Sequence, residues 1–248
     1  DPARKIKTMY WPQGEGDLRM QNPYWIAYRN LRTNNKKRYM LSASLSYDIT
    51  DWLNVSGRVR VDNSNTKYEQ KLYASSNTTL TEGSTQGFYA IAKPDESQVY
   101  ADILANINKR FGDYSLVVNV GASIVDNKYD ELSYRGPIRA NGIPNVFNVF
   151  DLDNTQKKAR QDEWEEQTQS IFASAELGWK SMLYLTLTGR NDWASQLANS
   201  SSTCFFYPSV GLSAIISEMV KLPSAIDYLK IRGSFSSVGM PYPRNLTS

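Results

Sequence analysis

The amino-acid sequence predicts an all-β fold, an antiparallel transmembrane β-barrel segment of about eight strands. Apolar and polar side chains alternate with period two over runs of roughly ten residues. The runs are joined alternately by short turns and long polar stretches. No apolar run approaches the ~20 residues that a membrane helix needs. The mean hydropathy of −0.51 is compatible with a barrel, because its strands dilute the apolar face with as many polar residues.

Residues 1–36 show no periodicity and carry Pro2, Pro12, Pro23, Gly14 and Gly16, which reads as an irregular segment or external loop. From residue 37 to 248 the chain reads as barrel hairpins. In the first strand Tyr39, Leu41, Ala43, Leu45 and Tyr47 alternate with Met40, Ser42, Ser44, Ser46 and Asp48. A turn at Thr50-Asp51-Trp52 leads to Leu53, Val55, Gly57, Val59 and Val61, with Asn54, Ser56, Arg58, Arg60 and Asp62 opposite. The second hairpin places Val99 to Ile107 and Leu116 to Ile124 on its apolar face, about a turn at Gly112-Asp113. The third runs from Ile171 to Trp179, turns at Lys180-Ser181-Met182, and continues with Leu183, Leu185 and Leu187. The fourth pairs Phe206, Val210, Leu212 and Ala214 with Leu229, Ile231, Gly233 and Phe235 across a longer connection at 217–227.

The long connections, at about 64–97, 128–168 and 193–205, all emerge at one end of the sheet. Short turns on one side and long loops on the other are the habit of outer-membrane barrels. Tyr47, Trp52, Phe111, Tyr114, Trp179, Tyr184 and Tyr228 cluster near the short-turn end, as an interfacial aromatic girdle would. Strand-forming propensity is the competing explanation, and the girdle is the favoured one.

Composition narrows the chemistry. The 248 residues include no His, which excludes Ser-His-Asp and Cys-His nucleophile systems and His-based zinc motifs. The single Cys204 excludes an internal disulfide and a multi-cysteine metal site. Phosphate-binding glycine loops are absent, so no cofactor is expected. A net charge of +3 from 28 basic and 25 acidic residues is too even for a nucleic-acid binder. The chain opens without an initiator Met and shows no secretory leader, so it is expected to be a mature product or an excised piece.

Period two alone does not separate a barrel in lipid from a sandwich in water. Strand length and the small or aliphatic residues in mid-strand favour the barrel. The discriminating set is Leu41, Val59, Val118 and Leu185: a sandwich gathers them into a dry interior, whereas a barrel presents them outward. The opposite face holds many serines with Arg58, Arg60, Asp62, Asp102, Glu176, Arg190, Lys230 and Arg232. These suit either a charged network in a narrow barrel or the wall of a wider lumen.

Several stretches resemble the SusC/RagA group of TonB-dependent outer-membrane transporters of Bacteroidetes. They are Asn22-Pro23-Tyr24-Trp25, the run Arg38 to Asp62, Gly189 to Leu197, Phe205 to Glu218 and Tyr228 to Gly239. The resemblance implies a barrel of about 22 strands with a plugged lumen, of which this chain is the middle portion. It also implies the cell outer membrane as location, with multiple passes through its lipid. Import of oligosaccharides or peptides, a SusD-like surface lipoprotein partner, and energy from TonB through parts outside this chain are implied too. The alternative reading is an extracellular glycan-binding β-sandwich. A hydrolase barrel is disfavoured by the missing His, and the chain is not expected to be an enzyme.

Candidate ligand-binding residues lie at the long-loop end: Asn191, Asp192, Trp193, Phe205 and Phe206, where aromatics and a carboxylate can stack on and hydrogen-bond a sugar or peptide. Anchoring of Trp193 and the Phe pair in the membrane interface is the competing role. Trp164, amid Glu163, Glu165 and Glu166, is a further candidate in a forty-residue stretch of the kind that is usually functional or disordered. Arg58, Arg60, Asp62 and Arg190 are expected to face the lumen, where the arginines either favour anionic cargo or serve a structural network. Asp151-Leu152-Asp153-Asn154 lacks the Gly and Glu of a calcium loop and reads as solvated carboxylates.

Overall fold

The computed structural model describes residues 22–200, 203–220, 223 and 226–239. A short helix, α1 (Pro23–Arg29), precedes β1 (Asn30–Thr50), β2 (Leu53–Tyr73), β3 (Gly87–Phe111), β4 (Tyr114–Pro137), β5 (Lys158–Trp179), β6 (Leu183–Ala194), β7 (Cys204–Ile215), α2 (Ile216–Met219) and β8 (Lys230–Ser236). The eight strands form one antiparallel sheet in sequential order from β1 to β8. No second sheet is present among the described residues, so the sandwich alternative has nothing to close its core. Leu41 is 67% exposed, Val59 49% and Leu185 37%, and Val118 is only half-buried. Apolar side chains of this kind stand outward.

Strands outrun the expected boundaries. β1 begins at Asn30 inside the segment expected to be irregular, and α1 lies there too; residues 1–21 are outside the described residues. The connections expected at 64–97, 128–168 and 193–205 contract to 74–86, 138–157 and 195–203. The reason is physical. Period two is visible only where the two faces meet different surroundings, and Asn63-Ser64-Asn65-Thr66-Lys67 is polar on both. Its backbone continues the ladder without any alternation to announce it.

The chain divides into two compact units. Among the described residues the first comprises those up to Tyr39 with Asn63–Ser97 and Lys128–Trp164; the second comprises Met40–Asp62, Gln98–Asn127 and the residues from Glu165 on.

In the first unit, Asn22 caps α1 by accepting the Tyr24 amide at 3.0 Å, and Pro23 takes the first helical position. Trp25 is buried and donates its indole N–H to Ser76 Oγ at 2.9 Å. Leu72, Phe88, Ile138 and Leu152 are buried as well, and Phe147 meets Tyr73 edge-on at 5.0 Å. Gly87 sits at φ +118, where a Cβ would stand 2.6 Å from the Leu72 carbonyl oxygen. Only glycine lets β3 begin there. The long connections thus form a small hydrophobic core of their own.

In the second unit the hairpin register sorts the faces. Ala173, Ala175 and Leu177 lie opposite Gly189, Leu187 and Leu185. Leu185, Leu187 and Gly189 lie opposite Leu212, Val210 and Pro208, and Val210 and Ala214 lie opposite Phe235 and Ile231. Directly paired residues share a face, so this is one continuous apolar surface. Lys180 and Ser181, both at positive φ, turn β5 into β6 with the twist that tight hairpins favour. Near the turns Lys109 lies over the Trp52 ring at 5.3 Å and Lys180 over Trp179 at 5.2 Å. Tyr184 departs from the expected girdle. It pairs with Gly178 and Ser213, on the polar face.

Ile138→Ala will cost about 2–4 kcal/mol through the cavity it leaves. Amide exchange should accelerate across 74–86 and 138–157 and stay unchanged in β6 and β7; equal acceleration in both would refute an independent loop core.

Candidate functional site

The polar face of the second unit carries the groups able to contact a solute. Arg58 on β2 donates through Nε and Nη2 to Asp102 Oδ2 on β3, at 2.9 and 2.7 Å. Its guanidinium and that of Arg60 both approach the Tyr100 ring, at 5.3 and 5.4 Å. Asn106, Asn119 and Ser174 continue the polar chain across β3, β4 and β5. Arg58 therefore serves the structural network, whereas Arg60 rests on an aromatic face. Asp62 follows the same strand parity, two residues beyond Arg60.

Further along the sheet, Arg190 donates Nε to Asp192 Oδ1 at 2.7 Å and Nη2 to Ser170 Oγ at 2.9 Å. It lies 5.8 Å above the Phe172 ring. That ring covers Gly121, where a Cβ would stand 2.6 Å from it. Phe205 and Tyr207 lie 6.4 Å apart on β7. Phe172, Arg190, Tyr207, Ser209 and Val238 line a cleft of about 320 Å³. An ion pair flanked by aromatic walls can hydrogen-bond and stack a polar solute.

The register divides the candidates. Asn191 pairs with Phe206 and Trp193 with Cys204 on the apolar face, while Asp192 pairs with Phe205 and Arg190 with Tyr207 on the polar face. The single mouth expected from Asn191, Asp192, Trp193, Phe205 and Phe206 is therefore two surfaces. Phe206 instead lies over Gly189, with ring atoms 3.3 Å from a Cβ built there. Phe172, Tyr207 and Tyr100 were the residues missing from the sequence reading. Strand parity relative to Arg58 and Arg190 would have found them.

In the first unit Trp164 stacks on Tyr129 at 5.5 Å and an interplanar angle of 14°. Tyr129 lies beyond the apolar alternation of β4 and donates its hydroxyl to Glu131 at 2.6 Å. Burial, that hydrogen bond and the charges of Glu131, Asp162 and Glu96 push its phenol up to about 12. The acidic run is structural, not merely solvated. Asp151 binds Arg139 at 2.7 Å and Asp153 accepts the Thr155 amide at 2.8 Å. No metal-holding cluster occurs among the described residues.

Residues 6–248 match the family described as TonB dependent receptor-like, beta-barrel. The chain belongs to that family. Solved structures agree on the fold. The RagAB peptide transporter superposes with a TM-score of 0.74 at 14% identity, covering 88% of this chain and 24% of that one. The RagAB peptide importer matches in its "open-open" state at 0.71 and 15% identity, and in its "closed-closed" state at 0.67 and 16%, with the same coverage. The chain thus spans about a quarter of the length of the transporter chains it matches. No curated protein matches it in direct sequence comparison.

This is a family of outer-membrane receptor barrels and not of enzymes. Barrels of the outer membrane turn the apolar side of each strand toward lipid and the polar side inward. Leu187→Arg will cost about 2–4 kcal/mol if it meets the bilayer midplane, whereas Thr188→Arg, between Ser174 and Ser209, will cost about 1 kcal/mol or less. Heat-modifiable mobility of the full-length protein measures both, and equal losses would contradict the two faces.

The loops give a pH prediction. Burial alone would raise the Glu82 carboxyl, but hydrogen bonds and charge from Arg135 at 2.9 Å and Lys158 at 3.4 Å outweigh it and hold it below its ordinary value. A depressed folded value means stability present above the ordinary carboxylate range and lost as pH falls through the folded value. Proteolysis of 74–86 should therefore stay slow at neutral pH and quicken in acid, with Glu82→Gln flattening the profile.

Proposed function

We propose that this chain forms part of the wall and external loops of a TonB-dependent outer-membrane transporter. The transporter imports oligosaccharides or peptides and works with a SusD-like surface lipoprotein. One observation carries the reading. A single sheet exposes an apolar surface on one side and, on the other, ion pairs, hydroxyls and aromatic rings at matching register. Lipid suits the first surface and a hydrated solute the second. The RagAB neighbours, a peptide transporter and a peptide importer, support peptide cargo. TonB acts through parts of the protein outside this chain.

Within this reading Phe172, Arg190, Asp192, Phe205 and Tyr207 contact passing cargo, and Arg60 and Asp62 line the same passage. Trp193, Asn191 and Phe206 meet the outer membrane interface, where amphipathic rings are favoured. Trp164 on Tyr129 offers cargo or the lipoprotein an aromatic platform.

The test uses the full-length protein in its own cells. It should fractionate with the outer membrane, and uptake of labelled peptide should stop when the proton gradient is collapsed. Phe172→Ala should lower uptake about fivefold at unchanged assembly, the size expected for losing one aromatic contact. Trp193→Ala should lower assembly instead. Recovery among soluble proteins would overturn the reading.

A further inference from the structure

A second groove on the polar face lies closer to the short turns, wholly within the second unit, and encloses about 600 Å³. Lys230 and Arg232 project into it from β8, two residues apart and so on one face. Among the described residues no carboxylate lies within ion-pair distance of either. Glu176, which lines the opposite side, accepts from Thr186 Oγ1 at 3.4 Å. The Lys230 ammonium lies 6.0 Å from the centre of the Tyr184 ring. Ser213, paired in register with both Tyr184 and Arg232, has a buried hydroxyl oxygen without a hydrogen-bond partner.

The floor is kept low by Gly211. A Cβ there would meet the Ser234 and Thr186 Cβ atoms at 3.8 Å and the Gly233 carbonyl oxygen at 4.0 Å, all ordinary contacts, and Gly211 is not among the glycines at positive φ. Neither sterics nor the backbone requires glycine at this place. Its effect is to leave room between the cations and Glu176.

We propose that this groove is a subsite for a carboxylate group of the cargo. A guanidinium presents a planar fork to a carboxylate, an ammonium adds a point charge, and a hydroxyl left unpaired gains a partner when an anion arrives. The Arg190 cleft differs in kind, because its cation is already neutralised by Asp192. The subsite rests on the transport reading, since it needs the polar face to line a solute's path. A peptide C-terminus and an acidic sugar supply the same group.

The experiment measures binding by the full-length transporter in outer-membrane vesicles with two probe pairs. One pair is an oligopeptide of neutral residues with a free or an amidated C-terminus. The other is a neutral oligosaccharide and its uronate-terminated counterpart. In one pair the acid should bind about tenfold more tightly than its neutral form, and which pair does so identifies the source of the carboxylate. Lys230→Gln with Arg232→Gln should bring the acid down to the neutral level. Gly211→Val should do the same by filling the floor without changing charge, so the result does not hinge on one variant assembling. A preference that survives both variants overturns the subsite. So does an absence of preference while the neutral probes bind, which leaves the transport reading standing. Binding of none of the four probes overturns both.

Discussion

The constraint on which the structure depends is the antiparallel ladder itself. Once β5, β6, β7 and β8 pair in fixed register, each side chain is committed to one of two opposite surfaces, and a slip of one residue would exchange them all. Leu187 then necessarily stands with Ala175 and Val210, and Thr188 with Ser174 and Ser209. Burial does not enforce this arrangement within the chain, because the aliphatic surface is largely exposed. Its cost is recovered only where something other than water covers it, which is why membership of an outer-membrane barrel family and the side-chain pattern are one fact seen twice.

The hydrophobic core of the first unit answers to a different rule. Ile138 and Leu152 are almost wholly buried and bridge each other's backbones. Pro137 O accepts from the Asp153 amide, and Ser84 Oγ donates to Ile138 O. Long connections in water must satisfy their backbone and bury enough apolar surface to offset the ordering entropy. Here Glu82, gripping Arg135 and Lys158, and Asp151, gripping Arg139, supply the polar half of that bargain. A loop held in this way presents a defined surface to a partner.

Legibility in the sequence followed the contrast between surroundings. The four hairpins, their short turns and the assignment of Arg58 and Arg190 to one surface all emerged from period two, because lipid and water demand different residues there. Where both faces carry polar residues, as from Asn63 to Lys67, contrast vanished and strand was mistaken for loop. The Ile138–Leu152 core was illegible for another reason. Its members are far apart in sequence, and no local period joins them. Adjacency hid the division of Asp192 from Trp193 and Phe206: neighbours in a strand point to opposite surfaces, and only the register shows which residues share one.

The charges of the polar face sort in the same way. Arg58 with Asp102 and Arg190 with Asp192 are neutralised pairs, each anchored further by an aromatic ring or a serine. Such pairs hold the wall in shape without drawing ions to it, since the field of a close pair falls away over a few ångströms. Arg60, Lys230 and Arg232 have no such carboxylate within ion-pair distance among the described residues. A wall whose structural cations are neutralised and whose remaining cations stand over aromatic rings or small residues is selective by subtraction. The anion attraction that survives is confined to the places where the floor also leaves room for an anion to lie.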